Sequence, residues 1–178
     1  METKVSLETG AMGFGTALGG FGIRWSQAGI TAILLPGSRG LVEAGIEDGS
    51  AAPSYVCRAI EGITALLRGA ADDLRYVPLD DRRIDDFRQA VYAATREIDP
   101  GTTRTYGEIA RAIGRPDAAR DVGVALSRNP FSIVVPCHRV VGANGALTGF
   151  SGPGGLATKR RLLELEGAPG YGQQVLFG

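Results

Sequence analysis

The first third of the chain alternates short apolar runs with turn residues. Residues 21–25 and 30–35 are rich in β-branched and aromatic side chains, and a polar turn at residues 27–29 separates them. This pattern predicts two strands joined by a turn. The glycine-rich start of the chain lacks the spacing of a phosphate-binding loop, so we interpret it as strand and turn material.

Three further segments carry apolar residues at helical spacing. Residues 55–67 form the first, and the charged stretch 69–83 follows it as a predicted connection between two units. The second is a helix that stops at residues 99–101. Its single apolar stripe consists of Phe87, Val91, Ala94 and Ile98. The last helix is predicted over residues 156–166, and Gly167 closes it.

Between residues 105 and 130 the pattern predicts two short helices joined by a tight turn. Thr105 and Glu108 fit a capping box that begins the first helix, and Gly114 ends it. Pro116 is well placed at the start of the second helix, which stops at Asn129. An ordinary helical hairpin and a DNA-binding helix-turn-helix both fit this pattern. The arginines along it favour DNA binding: Arg111, Arg115, Arg120 and Arg128.

The composition is that of an ordinary globular protein. The chain has 178 residues, 44% hydrophobic and 21% charged, which fits one or two domains and excludes disorder of the whole chain. No stretch approaches the ~20 apolar residues of a membrane span, and the N-terminus is unlike a signal peptide. We therefore expect a cytoplasmic protein without a membrane partner. The formal net charge is zero, but residues 104–161 hold nine basic and three acidic residues. This local excess suggests contact with a polyanion.

Cys137 has the clearest chemical context of any residue. It follows the β-branched residues 132–136, which predict a short strand, and it precedes His138 and Arg139. A thiol near cations has a lowered pKa, and the thiolate is the nucleophile; a buried structural cysteine is the alternative. His138 is the only histidine and hence the candidate base, through a turn or a bridging water. Glu164 and Glu166 on the last helix are both candidates to orient it.

Metal binding and disulfide bonding are not expected. Two cysteines and one histidine cannot complete a four-ligand zinc site without carboxylates, and two cysteines cannot make a disulfide framework. We interpret the other cysteine, Cys57, as a buried residue of the first helix. No residue pattern indicates a cofactor.

The segment around Cys137 resembles the signature of a known family. Residues 133–142 read IVVPCHRVVG, and this resembles the acceptor site of the O6-alkylguanine-DNA alkyltransferases, the methylated-DNA–protein-cysteine methyltransferases. Residues 105–110 and 118–123 resemble the two DNA-binding helices of that family. Residues 149–152, 155–159 and 166–167 resemble its C-terminal loop and helix. The resemblance continues in order through residues 87–167.

The resemblance implies an α+β fold and a DNA-repair reaction. Residues 1–80 would form an N-terminal sheet domain like a ribonuclease H core. Residues 85–170 would form a mainly helical domain with a helix-turn-helix. The implied reaction is the irreversible transfer of an alkyl group from O6-alkylguanine to Cys137, once per protein, with O4-alkylthymine as a second candidate substrate. The partner would be double-stranded DNA, entered by its minor groove, and the protein would act as a monomer. The alternative is a non-catalytic DNA-damage binder or regulator, which has no need of Cys137.

The resemblance also implies roles for the reacting residues. Cys137 would accept the alkyl group, His138 would deprotonate it through a water, and Glu166 would orient His138. Tyr106 would donate a hydrogen bond to N3 of the leaving guanine. Asn129 would brace the loop under the cysteine.

A second set of roles concerns the DNA and the base pocket. Arg120 would fill the gap that a flipped nucleotide leaves in the duplex. The other expected DNA contacts are Thr105, Ala118, Ala119, Gly123, Arg128 and Arg139. The expected pocket residues are Val140, Phe150, Ser151 and Gly152, with phenylalanine at 150 where the family usually has tyrosine. Asp121 follows Arg120, and a carboxylate there would oppose the phosphates.

Overall fold

The computed structural model describes residues 9–41 and 52–172. Within these ranges the chain is a mixed α/β protein with a small antiparallel sheet and five α-helices. The elements in chain order are β1 (Gly10–Thr16), β2 (Gly19–Ser26), β3 (Gly29–Leu34), α1 (Ser54–Leu66), α2 (Asp86–Arg96), β4 (Arg104–Thr105), α3 (Tyr106–Ala112), α4 (Ala119–Ser127), β5 (Val140–Val141) and α5 (Gly155–Leu165).

The antiparallel sheet has the order β1-β2-β3. The two strands predicted from residues 21–25 and 30–35 are confirmed as β2 and β3, and the glycine-rich start supplies β1. Gly10 pairs with Trp25, and a Cβ at Gly10 would lie 2.1 Å from the Trp25 ring. Glycine is therefore required here, because the indole packs directly over the β1 backbone.

Two hydrophobic clusters form most of the core. The first joins the sheet to α1, and it also contains Ile133, Val134 and Leu162 from the C-terminal half of the chain. The second joins α2, α3 and α4. The connection predicted at residues 69–83 is fixed to α2, because the Arg96 guanidinium donates to the carbonyls of Leu74 and Val77 at 2.9 and 3.0 Å. Both halves of the chain thus share packing around the middle of the molecule.

The helix α3 begins and ends as its sequence predicts. The Thr105 hydroxyl oxygen accepts from the Glu108 backbone N–H at 3.1 Å, and the Glu108 carboxylate accepts from the Thr105 N–H at 2.7 Å. Gly114 has a φ of +72°. Its conformation lets the Arg115 N–H reach the Ala110 carbonyl at 2.9 Å, which closes the helix in a Schellman motif.

The predicted start of the next helix at Pro116 is wrong by three residues. The Ala118 N–H binds the Arg115 carbonyl at 2.9 Å, so Pro116 lies inside a tight turn. The first helical bond runs from Val122 to the Ala118 carbonyl at 2.9 Å, and α4 begins at Ala119. Proline suits a turn as well as a first helical position, since both need the same φ.

The strand predicted at residues 132–136 is wrong. The Val135 N–H binds the Phe131 carbonyl at 2.8 Å, and Ile133 has a φ of +72°, so the segment is a turn. Its β-branched residues are buried as core side chains instead of pairing in a sheet. Cys137 consequently begins a short 3-10 turn, Cys137–Arg139, which leads into β5.

The C-terminal helix matches its prediction. The helix α5 spans Gly155–Leu165, one residue earlier at each end than the predicted 156–166, and Gly167 follows its C-cap with a φ of +71°. Among the described residues, no helix combines the length and the apolar character that a bilayer crossing needs.

Candidate active site

Cys137 lines a cavity of about 990 Å³ between the edge of β3, α4 and the loop before α5. Both the sheet and the helices contribute to its wall. Its wall includes Tyr106, Arg120, Gly123, Asn129, Phe150 and Ser151. A space of this size lies within the range of typical small-molecule pockets, about 300–1,000 Å³.

Asn129 fixes the turn that carries Cys137. Its amide nitrogen donates to the Val135 carbonyl at 2.9 Å, and its amide oxygen accepts from the Phe131 N–H at 2.9 Å. The strained backbone at Ile133 lies between these two anchors. The position of Asn129 agrees with the expected brace under the cysteine.

The thiol of Cys137 is not a preformed thiolate. Burial raises its pKa, while the Asn129 side chain and the charge of Lys159 act in the opposite direction. The expectation of a lowered pKa from the flanking His138 and Arg139 is therefore wrong in sign. Desolvation of the thiolate outweighs the nearby cations, and the thiol needs a base.

His138 is placed to be that base. Its Nε2 lies 2.7 Å from Oε1 of Glu166, and the two side chains are 1% and 3% exposed. A carboxylate only accepts, so Nε2 carries the proton and Nδ1 holds the lone pair. Nδ1 is buried and has no hydrogen-bond partner in the part of the chain that the structure describes. Burial lowers the pKa of His138, with Glu166 opposing, so the imidazole is neutral and able to accept a proton.

The structure also chooses between the two candidate orienting residues. Glu166 reaches His138, whereas Glu164 pairs with Arg161 at 3.5 Å on the outer face of α5. The pKa of Glu166 is lowered to about 2, because the pairing with His138 and Arg139 outweighs the opposing effect of burial. Glu166 is thus a buried anion that holds the imidazole.

The prediction that Arg139 contacts DNA is wrong. Its side chain is 1% exposed. The guanidinium donates to Glu166 through Nε at 2.9 Å and through Nη2 at 2.8 Å, and Nη1 donates to the Ile98 carbonyl at 2.7 Å. All three nitrogens are occupied inside the protein, so none is free for a phosphate.

Lys159 is a site residue that the sequence reasoning missed. It is fully buried, and its Nζ donates to the carbonyls of Val140, Thr148 and Gly149 at 2.5, 2.9 and 3.1 Å. Burial lowers its pKa to about 8. A signal did exist, because Lys159 lies three and four positions before Leu162 and Leu163, which places it on the buried face of α5.

The expected pocket residues surround the cavity, with one exception. Phe150, Ser151 and Gly152 line it, and the Ser151 hydroxyl donates to the Ser127 carbonyl at 2.8 Å. Val140 is the exception, because it is fully buried and does not line the cavity, and its carbonyl oxygen accepts from Lys159. Residues 150–152 of the loop before α5 therefore form the part of the cavity wall that lies next to β3.

Tyr106 reaches the same loop from the start of α3. Its hydroxyl donates to the Thr148 carbonyl at 2.8 Å, and burial raises its pKa. A Cβ at Gly123 would lie 3.8 Å from the Tyr106 ring, so α4 packs close to it. The phenol therefore lies at the side of the cavity with its proton engaged by the loop.

The expected DNA contacts divide into exposed and buried groups. Arg120 is exposed and lines the cavity together with Ala119 and Gly123. Arg128 is exposed at the C-terminal end of α4. Ala118 is 6% exposed at the N-cap of α4, and its contact with DNA stays a prediction. The Thr105 oxygen is occupied as the cap of α3.

A thiol at the wall of a cavity, together with a buried neutral histidine that is held by a carboxylate, defines a cysteine-dependent group-transfer protein. Comparison with known proteins narrows this class. The family model of the 6-O-methylguanine DNA methyltransferase DNA binding domain matches residues 86–168.

Curated relatives and solved structures agree with this match. The methylated-DNA–protein-cysteine methyltransferase of Mycobacterium bovis is 53% identical over 125 residues, which cover 70% of this chain and 73% of that protein. The one from Methanosarcina acetivorans is 57% identical over 83 residues, 47% of this chain and 52% of that protein. OGT of Mycobacterium tuberculosis, solved in complex with DNA, superimposes with a TM-score of 0.73 at 36% identity, covering 90% of this chain and 96% of that chain.

An archaeal structure has the same fold. The O6-methylguanine-DNA methyltransferase of Pyrococcus kodakaraensis superimposes with a TM-score of 0.64 at 28% identity, covering 90% of this chain and 99% of that chain. The chain therefore belongs to the methylated-DNA–protein-cysteine methyltransferase family of DNA-repair enzymes. The family predicted from the residues around Cys137 is confirmed.

Proposed function

We propose that this protein repairs DNA by moving an alkyl group from O6 of guanine to Sγ of Cys137, once per molecule. The observation that carries the proposal is the buried His138 Nδ1, whose lone pair has no other partner among the described residues while Nε2 is held by Glu166. A structural cysteine would have no use for such a base. O4-alkylthymine is a second substrate that the same cavity would admit.

The chemistry follows from these positions. His138 takes the thiol proton through a water, and Glu166 stabilises the imidazolium that forms. The sulfur attacks the alkyl carbon, the carbon–oxygen bond breaks, and the base keeps the electron pair. Tyr106 turns its hydroxyl from the Thr148 carbonyl to N3 of the base and stabilises that charge. The thioether has no leaving group, so Cys137 is consumed.

The DNA would bind along α3 and α4, used as a helix-turn-helix that enters the minor groove. Arg120 at the mouth of the cavity supports this, since a guanidinium there can occupy the gap left by an extruded nucleotide. Residues 85–170 would form this DNA-binding and transfer domain. Residues 1–80 would form a ribonuclease-H-like sheet domain. The protein would act as a cytoplasmic monomer.

Intact mass spectrometry tests the proposal directly. After incubation with a duplex containing O6-methylguanine, the protein is expected to gain the mass of one methylene group, located on Cys137. Cys137→Ser should gain nothing. Cys57→Ser is the matched control, because Cys57 is half-buried on α1 outside the cavity, and it should be methylated like the wild type. Tight DNA binding without any mass gain would favour the non-catalytic damage binder.

A further inference from the structure

The buried Glu166 carboxylate binds two side chains at the site, and its Oε2 also lies 3.5 Å from the Gly101 backbone nitrogen. Oε1 of Glu166 lies 2.7 Å from His138 Nε2 and 2.8 Å from Arg139 Nη2, and Oε2 lies 2.9 Å from Arg139 Nε. The side chains of all three residues are at most 3% exposed. The expected role of Arg139 in DNA contact leaves this arrangement without an explanation.

We propose that Arg139 is a positioning residue for alkyl transfer, which holds Glu166 and keeps His138 neutral, with Nδ1 free to receive the thiol proton. The inference rests on the proposed function, in which His138 is the base. It adds a residue that acts on the base through the carboxylate and touches neither thiol nor DNA.

Charge balance is the first argument. Arg139 and Glu166 bring one positive and one negative charge into the same buried space, and they compensate each other. A protonated His138 would add a positive charge that a poorly hydrated site stabilises weakly. Without Arg139, the imidazolium would become the only positively charged partner of Glu166 among the described residues. The guanidinium therefore favours the basic form of the histidine.

Geometry is the second argument. The fork of Arg139 engages both oxygens of Glu166, and its remaining nitrogen is fixed by the Ile98 carbonyl at 2.7 Å. This fixes the plane of the carboxylate and aims Oε1 at His138 Nε2. A lysine has no planar fork and would supply the charge without the orientation. Charge and orientation can thus be separated by substitution.

The other ionisable groups near His138 must keep the same protonation state throughout a titration of His138. Glu166 and Lys159 face it from α5, and Cys137 and Arg139 flank it on its own segment. Lys159, with a pKa of about 8, stays mostly protonated below about pH 7. Burial keeps Cys137 protonated in that range. A titration on the acid side of neutrality therefore reports on His138 and its two partners.

The single histidine makes that titration unambiguous. Nitrogen NMR of the full-length, DNA-free protein labelled with 15N-histidine reads both the tautomer and the protonation midpoint of His138. We expect the wild type to be the neutral Nε2–H tautomer. Arg139→Gln should raise the midpoint by about one pH unit or more, as removal of a neighbouring charge does. Arg139→Lys should leave it within a few tenths of a unit.

Two further variants sharpen the result. Arg139→Gln combined with Glu166→Gln removes both charges, so the midpoint should fall back to the wild-type value or below it. Arg161→Gln is the matched control, because that arginine is exposed on α5 and pairs with Glu164. It should change neither the midpoint nor the rate. A purely structural role of Arg139 would slow transfer without moving the midpoint.

Transfer kinetics test the orienting role separately. Single-turnover methyl transfer by Arg139→Lys should be about tenfold slower at pH 7, because the carboxylate loses its fixed plane. If Arg139→Gln fails to fold, the transfer rate of Arg139→Lys still tests the positioning role of Arg139. The inference is overturned by an Nδ1–H tautomer in the wild type, by equal midpoints in Arg139→Gln and wild type, or by an unchanged rate in Arg139→Lys. The NMR needs no substrate, so a protein that shows the shift but transfers no methyl group would contradict only the proposed function.

Discussion

At the scale of single residues, the turn that carries Cys137 depends on side-chain hydrogen bonds to its backbone. Asn129 is the clearest case, since one amide donates to Val135 and accepts from Phe131. No small residue replaces both contacts. The amide joins the end of α4 to the turn before Cys137, so a local change there reaches the thiol.

Asn129→Ala is expected to lower the free energy of unfolding by about 2–4 kcal/mol, because two partly buried backbone groups lose their partners. Urea denaturation measures the loss. Asn129→Asp keeps the acceptor for the Phe131 N–H and loses the donor for the Val135 carbonyl. Its stability should therefore lie between that of the wild type and that of Asn129→Ala. An alanine variant as stable as the wild type would contradict the bracing role.

Arg120 belongs to the same scale but acts on the DNA. Arg120→Ala should slow methyl transfer from duplex DNA about tenfold or more, equivalent to about 1.4 kcal/mol, while reaction with free O6-benzylguanine stays near the wild-type rate. Only the duplex reaction requires extrusion of a base. Single-turnover kinetics with both substrates give the comparison. Equal losses on both would assign Arg120 to the pocket.

At the scale of elements, α3 and α4 present the exposed arginine beside the cavity. The capping box at Thr105 and the left-handed Gly114 fix both ends of α3, and the turn through Pro116 fixes the start of α4. The exposed face of α4 also carries Asp121. Within residues 9–41 and 52–172 this carboxylate makes no ion pair within 4 Å, although Arg115 and Arg128 line the same shallow pocket.

Asp121→Ala should tighten binding to a duplex by ~0.5–1 kcal/mol, because an exposed carboxylate that opposes the phosphates is removed. The gain should appear at every salt concentration and shrink as salt rises. A fluorescence titration at three ionic strengths measures it. Glu61→Ala on α1 is the control, an exposed acidic residue away from α4, and it should have little effect. Weaker binding by Asp121→Ala would show that Asp121 positions an arginine.

At the scale of the whole molecule, the two halves of the chain share their packing. Ile133, Val134 and Leu162 join the cluster under the sheet, and Arg96 ties α2 to the connection after α1. The buried charges lie close to this shared packing. Their protonation therefore affects the stability of the fold as well as the chemistry.

The native protein should lose stability steadily in acid. The pKa of His138 is lowered from its ordinary 6.5, and that of Glu166 from 4.5 to about 2, so the folded chain binds fewer protons than the unfolded chain. Stability should fall as the pH drops below about 6.5, and further between about 4.5 and 2. Urea midpoints across this range measure the effect. In Glu166→Gln the loss of stability between about pH 4.5 and 2 should be smaller than in the wild type. A wild-type stability that does not change with pH across this range would contradict the prediction.

The sequence by itself determined the elements that have local signals, and it identified the family. The capping box, the glycine after α3 and the apolar stripe of α2 act within a few residues, so they could be located without the fold. The residues around Cys137 carried the resemblance in their order alone. These features predict the class of reaction and the thiol that reacts.

Tertiary structure decided the environment of the reacting groups. The β-branched residues 132–136 became a buried turn, because β-branched side chains suit core positions as well as strands. Arg139 points into the protein, because its hydrogen-bond acceptors, the Ile98 carbonyl and the Glu166 carboxylate, come from segments distant in sequence. Burial of Cys137 raised the pKa of its thiol, and the fold brought Glu166 instead of Glu164 to His138. Burial and electrostatic coupling arise between segments far apart in the chain, so no local pattern specifies them.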